Sequence, residues 1–199
     1  SRLIECVPNI SEGRRTEVVD AIAAAVSGTP GAHLLDRTSD TDHNRSVLTF
    51  AGEESAVADA MERAIGAAIA RIDMTVHEGR HPRLGAVDVI PFVPLGDTTM
   101  ADCVALATRF GAHIGDHFDL PVYLYAAAAT RPERRVLADI RRPQFEGLAS
   151  MMAAPGGEPD FGPATPHPTA GAVVIGARPF LVAWNINLET QDVAIAKRI

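Results

Sequence analysis

The densest group of side chains able to do chemistry lies in one short segment, His77-Glu78-Gly79-Arg80-His81-Pro82-Arg83-Leu84-Gly85. It contains His-Glu-x-x-His, the pattern of zinc proteases, in which a helix puts both histidines on one face and the glutamate acts as the base. Gly79 lies inside the pattern, and Pro82 disfavours helical backbone at His81. We therefore expect an irregular turn at this segment, and no metal.

Two interpretations of this turn remain open from the residues alone. In one, the turn presents the imidazole of His81 as a general base, because the unperturbed pKa of histidine lies near neutral pH. The arginines beside it would then hold carboxylates. In the other, the histidines and arginines are solvated side chains of an ordinary surface loop.

A second histidine pair, His113 and His117, has the spacing of one helical face, with Asp116 beside it. This pattern is more typical of a solvated helix surface than of a metal site. Neither a phosphate-binding loop nor the Gly-x-Gly-x-x-Gly pattern occurs in the sequence, so no nucleotide cofactor is expected.

Hydrophobic patterns predict the elements that must position these side chains. Apolar residues at helical spacing predict helices over residues 18–26, 57–72 and 104–118, with Thr99 and Asp102 at the start of the third. A shorter helix is expected from Pro132 to near Arg141, and Thr190 is expected to begin another. Strands are predicted at residues 3–8, 33–36, 46–50, 86–93, 121–126, 172–175 and 180–188. Residues 152–170, rich in Gly and Pro, are expected to form a functional loop.

This order of elements, β-α-β-β-α-β followed by α-β, predicts an α+β fold. We expect a ferredoxin-like βαββαβ core extended by further helices and strands, with the helices packed on one face of a mixed sheet. A chain of 199 residues is long enough to bury one sizeable core.

Charge and cysteine content argue against several classes of function. The net charge is −7, and acidic and basic residues are interspersed along the chain, which argues against a nucleic acid partner. A few arginines would still suffice to bind a small anion. Cys6 and Cys103 stand in unrelated contexts and are expected to be reduced. The sequence shows neither a signal peptide nor an apolar run long enough to span a membrane, so the expected location is the cytoplasm, away from membranes.

Short motifs follow one another in a fixed order along essentially the whole chain. They are CVPNISEG at 6–13, DHNRSV at 42–47, H-x-G-x-HPRLGA at 77–86, PVYLY at 121–125, PDFGP at 159–163, GAR at 176–178 and NINL at 185–188. Together they resemble the glutamate formimidoyltransferase family, which also forms the N-terminal part of formimidoyltransferase-cyclodeaminase. Several motifs in one order are far more specific than any one of them.

The resemblance implies transfer of a formimidoyl group from N-formimidoyl-L-glutamate to N5 of tetrahydrofolate, a step of histidine breakdown. His81 matches the family's catalytic histidine, whereas Glu78 is not part of the family pattern. Tetrahydrofolate is then a co-substrate, and neither a metal nor a nucleotide is implied. The family's folate-contacting segment corresponds to Gly162, Pro163, Ala164, Thr165, Pro166, His167, Pro168, Thr169, Ala170 and Gly171.

Both implied substrates carry carboxylates, which would explain an arginine-bearing site on an acidic protein. Arg45 and Arg83 are the expected anion-binding residues, although each could instead form a structural ion pair. Asn9, Asp40 and Asn44 would add hydrogen bonds from neighbouring loops. Small molecules are the expected partners, and a homodimer is left open.

The family's module has two subdomains of ferredoxin-like character. Residues 1–178 are therefore expected to form the first, and residues 179–199 the start of a second, in a fragment of something longer. Two alternatives for function remain open. A related enzyme would transfer a formyl group from N-formylglutamate to folate with the same base and cleft, and a non-catalytic binding module would retain only the half-fold.

Overall fold

Seven strands form one mixed sheet in the part of the chain that this computed structural model describes, residues 2–182, 188–190 and 192–198. The strands are β1 Arg2–Cys6, β2 Asn9–Ile10, β3 Ala32–Asp40, β4 Arg45–Gly52, β5 Val87–Gly96, β6 Val122–Ala126 and β7 Val173–Ala177. The helices are α1 Thr16–Ser27, α2 Glu54–Ile69, α3 Met100–His117, α4 Leu137–Arg141, α5 Gln144–Ala153 and α6 Val193–Ala196, with a 3₁₀ turn at Pro132–Arg134.

The sheet has an antiparallel half and a parallel half that meet at β5. On one side of β5, the strands β1 and β2 lie one after the other between β5 and β4, and β3 forms the edge beyond β4, all antiparallel. On its other side, β5 pairs with β7 and β7 pairs with β6, both parallel. Because β2 lies antiparallel between β4 and β5, the residues that follow β2 lie beside the residues that precede β4 and beside those that precede β5.

Helices α1, α2 and α3 cover one face of the sheet and form the larger core. Each buries the apolar stripe that its sequence predicts, represented by Ile22, Ile65 and Ile114. The predicted start of α3 is confirmed, because Asp102 N donates to Thr99 Oγ1 at 3.2 Å and Thr99 N donates to Asp102 Oδ2 at 2.8 Å.

The opposite face carries a second helical layer over the parallel half of the sheet. Ile140 of α4 and Leu148 of α5 pack there against Val174 and Tyr123, whereas the neighbouring Ile175 points into the larger core. The α+β prediction is confirmed, but the expectation that the helices lie on one face is wrong. The sequence predictions leave residues 144–151 of helix α5 unassigned, and its last two residues lie in the predicted loop 152–170, where the structure is helical. The finer ferredoxin-like description stays a prediction.

The last third of the chain differs most from the predicted elements. The predicted helix from Pro132 is interrupted after Arg134, and α4 begins only at Leu137. Residues 180–182 are not in a strand, and residues 183–187 of the predicted strand 180–188 lie outside the described residues. The last helix begins at Val193, and its N-cap is Asp192, whose Oδ1 accepts from Ala194 N at 2.8 Å.

Gly85 is expected to be essential for packing the loop before β5 against residues 170–172. A Cβ at this position would lie 2.2 Å from Ala172 O and 2.4 Å from Ala170 O. We expect Gly85→Ala to lower the free energy of unfolding by about 1–3 kcal/mol or more, measured by urea denaturation. Gly66→Ala is the matched control, because its Cβ would meet only the Phe118 ring at 3.6 Å and alanine favours a helix. Equal stability of the two variants would contradict this packing.

Candidate functional site

Three loops meet at one end of the antiparallel half of the sheet, and Asn44 joins them. Its Oδ1 accepts from Gly13 N at 2.9 Å, and its Nδ2 donates to Glu78 O at 2.9 Å. Gly79 lies so close to the β3–β4 loop that a Cβ would be 2.4 Å from His43 O. Asn44 is buried and has a positive φ of 49°, so it acts as a structural clamp between loops.

The segment from His77 to Arg83 is not helical, which confirms the expected irregular turn. Arg83 Nε donates to His77 Nδ1 at 3.2 Å, so the proton of neutral His77 is on Nε2, which lies 3.2 Å from Asn44 O. Both ring nitrogens of His77 are thus used inside the protein, and burial lowers its pKa. The geometry of a zinc helix does not occur at this segment.

Two further observations concern metals and membranes. Among residues 2–182, 188–190 and 192–198, no three His, Cys, Asp or Glu side chains are grouped to hold a metal ion. No helix in the same ranges is both long enough and apolar enough to cross a bilayer.

His81 contacts Arg45, which extends from the start of β4. Arg45 Nη1 lies 3.1 Å from His81 Nε2 and donates to Asn9 Oδ1 at 3.2 Å. A guanidinium can only donate, so Nε2 of His81 accepts and the proton of the neutral ring is on Nδ1. The structure therefore brings together three of the residues that the sequence selected.

The environment of His81 favours its neutral form. Burial, followed by the positive charges of Arg141 and Arg45 and by His43, lowers the pKa of His81 to about 4. The His43 ring lies 6.4 Å from the His81 ring, and its Nδ1 lies 2.9 Å from Asp40 Oδ2. At neutral pH the His81 imidazole is unprotonated, as a general base must be.

This site lies on the face of the sheet that also carries α4 and α5. Asn9 pairs with Val89 of β5 and with Val47 of β4, and paired residues share a face. Val89 packs in the core beneath α4 and α5, so Asn9 and Arg45, two positions before Val47, point to the same side. The site is thus placed beside the second helical layer.

Sequence reasoning missed two charged residues of this region, Asp88 and Arg141. Asp88 is buried on β5, where its Oδ1 accepts from Leu84 N at 2.7 Å and its Oδ2 forms an ion pair with Arg141 of α4. Burial raises the pKa of Asp88, and Arg141 opposes that rise. A carboxylate within the apolar run 86–93 does signal a buried ion pair, but nothing local identifies its partner.

Arg83 occupies a different environment from the one expected. Its side chain is 6% exposed, and all five of its N–H groups have acceptors: His77 Nδ1 and O, Gln144 Oε1 and both carboxylate oxygens of Glu146. The structure favours the structural ion pair over substrate binding at Arg83. Asp40 likewise organises its own loop, since its Oδ1 accepts from the backbone N–H groups of Asp42 and His43.

The segment 162–171 packs on both sides of the His81 turn. Met74 N donates to Thr169 O at 2.7 Å before the turn, and Ala86 N donates to Ala170 O at 3.0 Å after it. At the other end of the segment, Gly162 has a φ of +77°, and a Cβ there would lie 2.5 Å from Leu120 O. The glycine at position 162 is therefore required by the backbone, independently of any ligand.

The histidine pair of α3 is remote from this region. His113 and His117 stack with ring centroids 5.4 Å apart, and each lies near one carboxylate oxygen of Glu62 of α2, at 3.1 and 3.6 Å. Their side chains are half exposed, as expected for a solvated helix face.

Comparison with known proteins matches the chain to a family. The family described as formiminotransferase domain, N-terminal subdomain, matches residues 3–178. The chain belongs to this family. It is 48% identical over 199 residues to glutamate formimidoyltransferase of Thermoplasma acidophilum, covering 99% of this chain and 65% of that protein. It is 43% identical over 199 residues to glutamate formimidoyltransferase of Streptococcus pyogenes serotype M1, covering 100% of this chain and 67% of that protein.

A longer relative matches over the same region. The chain is 46% identical over 188 residues to formimidoyltransferase-cyclodeaminase of Mus musculus, covering 94% of this chain and 35% of that protein. The chain thus spans about two thirds of the two shorter relatives and about one third of the mouse relative. The family implied by the sequence motifs is confirmed.

The neutral state of His81 can be measured directly. We expect the ¹H–¹⁵N imidazole signals of His81 to show a pKa near 4, because burial and two arginines disfavour the charged ring. Arg45→Met should raise this pKa, since it removes one positive charge. Signals are assigned with His81→Ala. A His81 pKa near 6.5 that is unchanged in Arg45→Met would contradict the electrostatic account.

Proposed function

We propose that the protein transfers the formimidoyl group of N-formimidoyl-L-glutamate to N5 of tetrahydrofolate. The observation that carries this proposal is a neutral histidine, His81, held in contact with an arginine on a turn of the formiminotransferase fold. Relatives of 43% and 48% identity bear the name glutamate formimidoyltransferase. Their activity belongs to proteins longer than this chain.

The reaction needs one group that takes and returns a proton. N5 of tetrahydrofolate attacks the amidine carbon, and His81 accepts the proton that N5 loses as the tetrahedral intermediate forms. The bond from that carbon to the glutamate nitrogen then breaks, and His81 returns the proton to the departing amine. Atoms and charges balance without a metal, an oxidant or a nucleotide.

Arg45 would couple substrate binding to the basicity of His81. In the structure its Nη1 points at His81 Nε2, the nitrogen that must accept the proton. A substrate carboxylate at Arg45 would offset its charge and compete for its N–H groups. Both effects would raise the pKa of His81 and free its lone pair when the substrate is in place.

The segment 162–171 is proposed to contact folate. Its hydrogen bonds to Met74 and Ala86 place it on both sides of the His81 turn, and Ala164, Thr165 and Pro168 are exposed.

Under this proposal, the partners of the protein are small molecules. The predictions of no metal, no nucleic acid, a cytoplasmic location and an undetermined homodimer remain predictions, and so does the division into residues 1–178 and 179–199.

Two substitutions in the turn separate base catalysis from zinc chemistry. We expect His81→Ala to lower kcat by roughly 10²–10⁴ with folate binding nearly intact, because it removes the proton acceptor. Glu78→Ala is the control and should change kcat little, since Glu78 is exposed and has no proton to move. Steady-state assays are run with N-formimidoylglutamate and N-formylglutamate, which also separates the amidine donor from the formyl donor.

The opposite pattern would overturn this mechanism. If Glu78→Ala were as damaging as His81→Ala and the purified protein held one zinc per chain, the segment would act as a metal site.

A further inference from the structure

Arg141 is a charged residue of the site that lies in none of the sequence motifs. The sequence analysis expected anion binding from Arg45 and Arg83 and gave Arg141 no role. It ends α4, its side chain is 12% exposed, and its Nη2 pairs with the buried Oδ2 of Asp88. It also lines an open cavity of about 360 Å³ together with Pro82, the residue after His81. The buried ion pair fixes Arg141 beside the catalytic turn.

Two guanidinium groups and two carboxylates lie around His81, and both carboxylates already have partners. Arg45 approaches from β4, His43 from the β3–β4 loop and Arg141 from α4, while the nearby carboxylates are Asp88 on β5 and Asp40 at the end of β3. Asp88 is already paired with Arg141, and Asp40 with His43. Burial and the charge of Arg141 lower the pKa of Arg45, so the two guanidinium groups repel each other.

The two arginines also retain unused hydrogen-bonding capacity. Within residues 2–182, 188–190 and 192–198, the buried Nε atoms of Arg45 and Arg141 have no hydrogen-bond partner, and Nη2 of Arg141 contacts Asp88 Oδ2 as an ion pair without hydrogen-bond geometry. Arg83, in contrast, uses every donor on Glu146, Gln144 and His77. Two mutually repelling guanidinium groups with spare donors form a site that a carboxylate stabilises.

We propose that Arg141 and Arg45 together bind the α-carboxylate of the formimidoylglutamate donor. This inference rests on the proposed function and adds a specificity-determining residue to it. In the donor, the α-carboxylate is attached through one carbon to the nitrogen that leaves. A group that holds it must therefore lie next to the proton-transferring histidine, as Arg45 does at 3.1 Å from His81 Nε2. The γ-carboxylate is two carbons farther from the reacting nitrogen.

Arg141→Lys tests the site without leaving Asp88 as an unpaired buried charge. Lysine keeps the positive charge but loses the planar fork. We expect the KM for N-formimidoylglutamate to rise roughly 10- to 100-fold, with the KM for tetrahydrofolate unchanged. Arg135→Met is the matched control, because Arg135 precedes the same helix, is exposed and does not line this cavity. It should leave both KM values unchanged.

Shortened donors show which carboxylate the arginines bind. N-formimidoyl-4-aminobutyrate lacks the α-carboxylate, and N-formimidoyl-2-aminobutyrate lacks the γ-carboxylate. The effect of Arg141→Lys should vanish with the first donor and persist with the second. The reverse result, or a KM that rises equally for donor and folate, would overturn the assignment.

A binding measurement separates this inference from the proposed function. N-acetylglutamate has both carboxylates but cannot transfer a formimidoyl group, and N-acetyl-4-aminobutyrate lacks the α-carboxylate. N-acetylglutamate should shift the His81 imidazole signals saturably and raise the His81 pKa, and N-acetyl-4-aminobutyrate should not. The double variant Asp88→Asn, Arg141→Met removes both buried charges and should abolish the response.

The outcomes of this titration are distinguishable. A saturable response to N-acetylglutamate in a protein without transferase activity would support the anion site and refute only the proposed reaction. An unchanged response in the folded double variant would refute the role of Arg141.

Discussion

The ion pair between Asp88 and Arg141 is the interaction on which the site depends. Asp88 lies on β5, the strand at which the antiparallel and parallel halves of the sheet meet, and its other oxygen accepts from Leu84 N at the end of the turn that carries His81. One buried carboxylate thereby connects the sheet, the turn that carries His81 and the helix α4 of the second layer. Removing one partner would leave a buried charge unpaired, which is strongly destabilising.

Burial together with the charges of Arg141 and Arg45 keeps His81 unprotonated, which is the state that the proposed reaction needs. A histidine that is half-buried and lies near arginines is unprotonated at neutral pH and can accept a proton, but its low pKa also makes it a weak base. In the proposed complex the substrate carboxylate would resolve this conflict, because the negative charge that binds the arginines would also raise the pKa of His81. Basicity is then highest when the donor is bound, and lower in the free protein.

Local features were predictable from the sequence, and long-range partnerships were not. Gly79 and Pro82 predicted an irregular turn because their backbone preferences are intrinsic, and Thr99 with Asp102 predicted the start of α3 for the same reason. The role of Arg83 depended on Glu146 of α5, a helix whose apolar stripe is too short to recognise. The order of the motifs identified the family and led to the prediction of His81, but Arg141 lies outside every motif and is placed beside the turn by tertiary packing alone.

The central claim is that binding of the donor carboxylate raises the pKa of His81. The most direct test compares two pH profiles of formimidoyl transfer. Because the base must be unprotonated, activity falls as the pH drops through the pKa of His81. The acidic limb of kcat/KM reports the free protein and should lie near pH 4. The limb of kcat reports the bound complex and should lie at higher pH, because the substrate carboxylate offsets Arg45 and Arg141. A kcat limb at the same pH as that of kcat/KM, or at a lower one, would contradict the account.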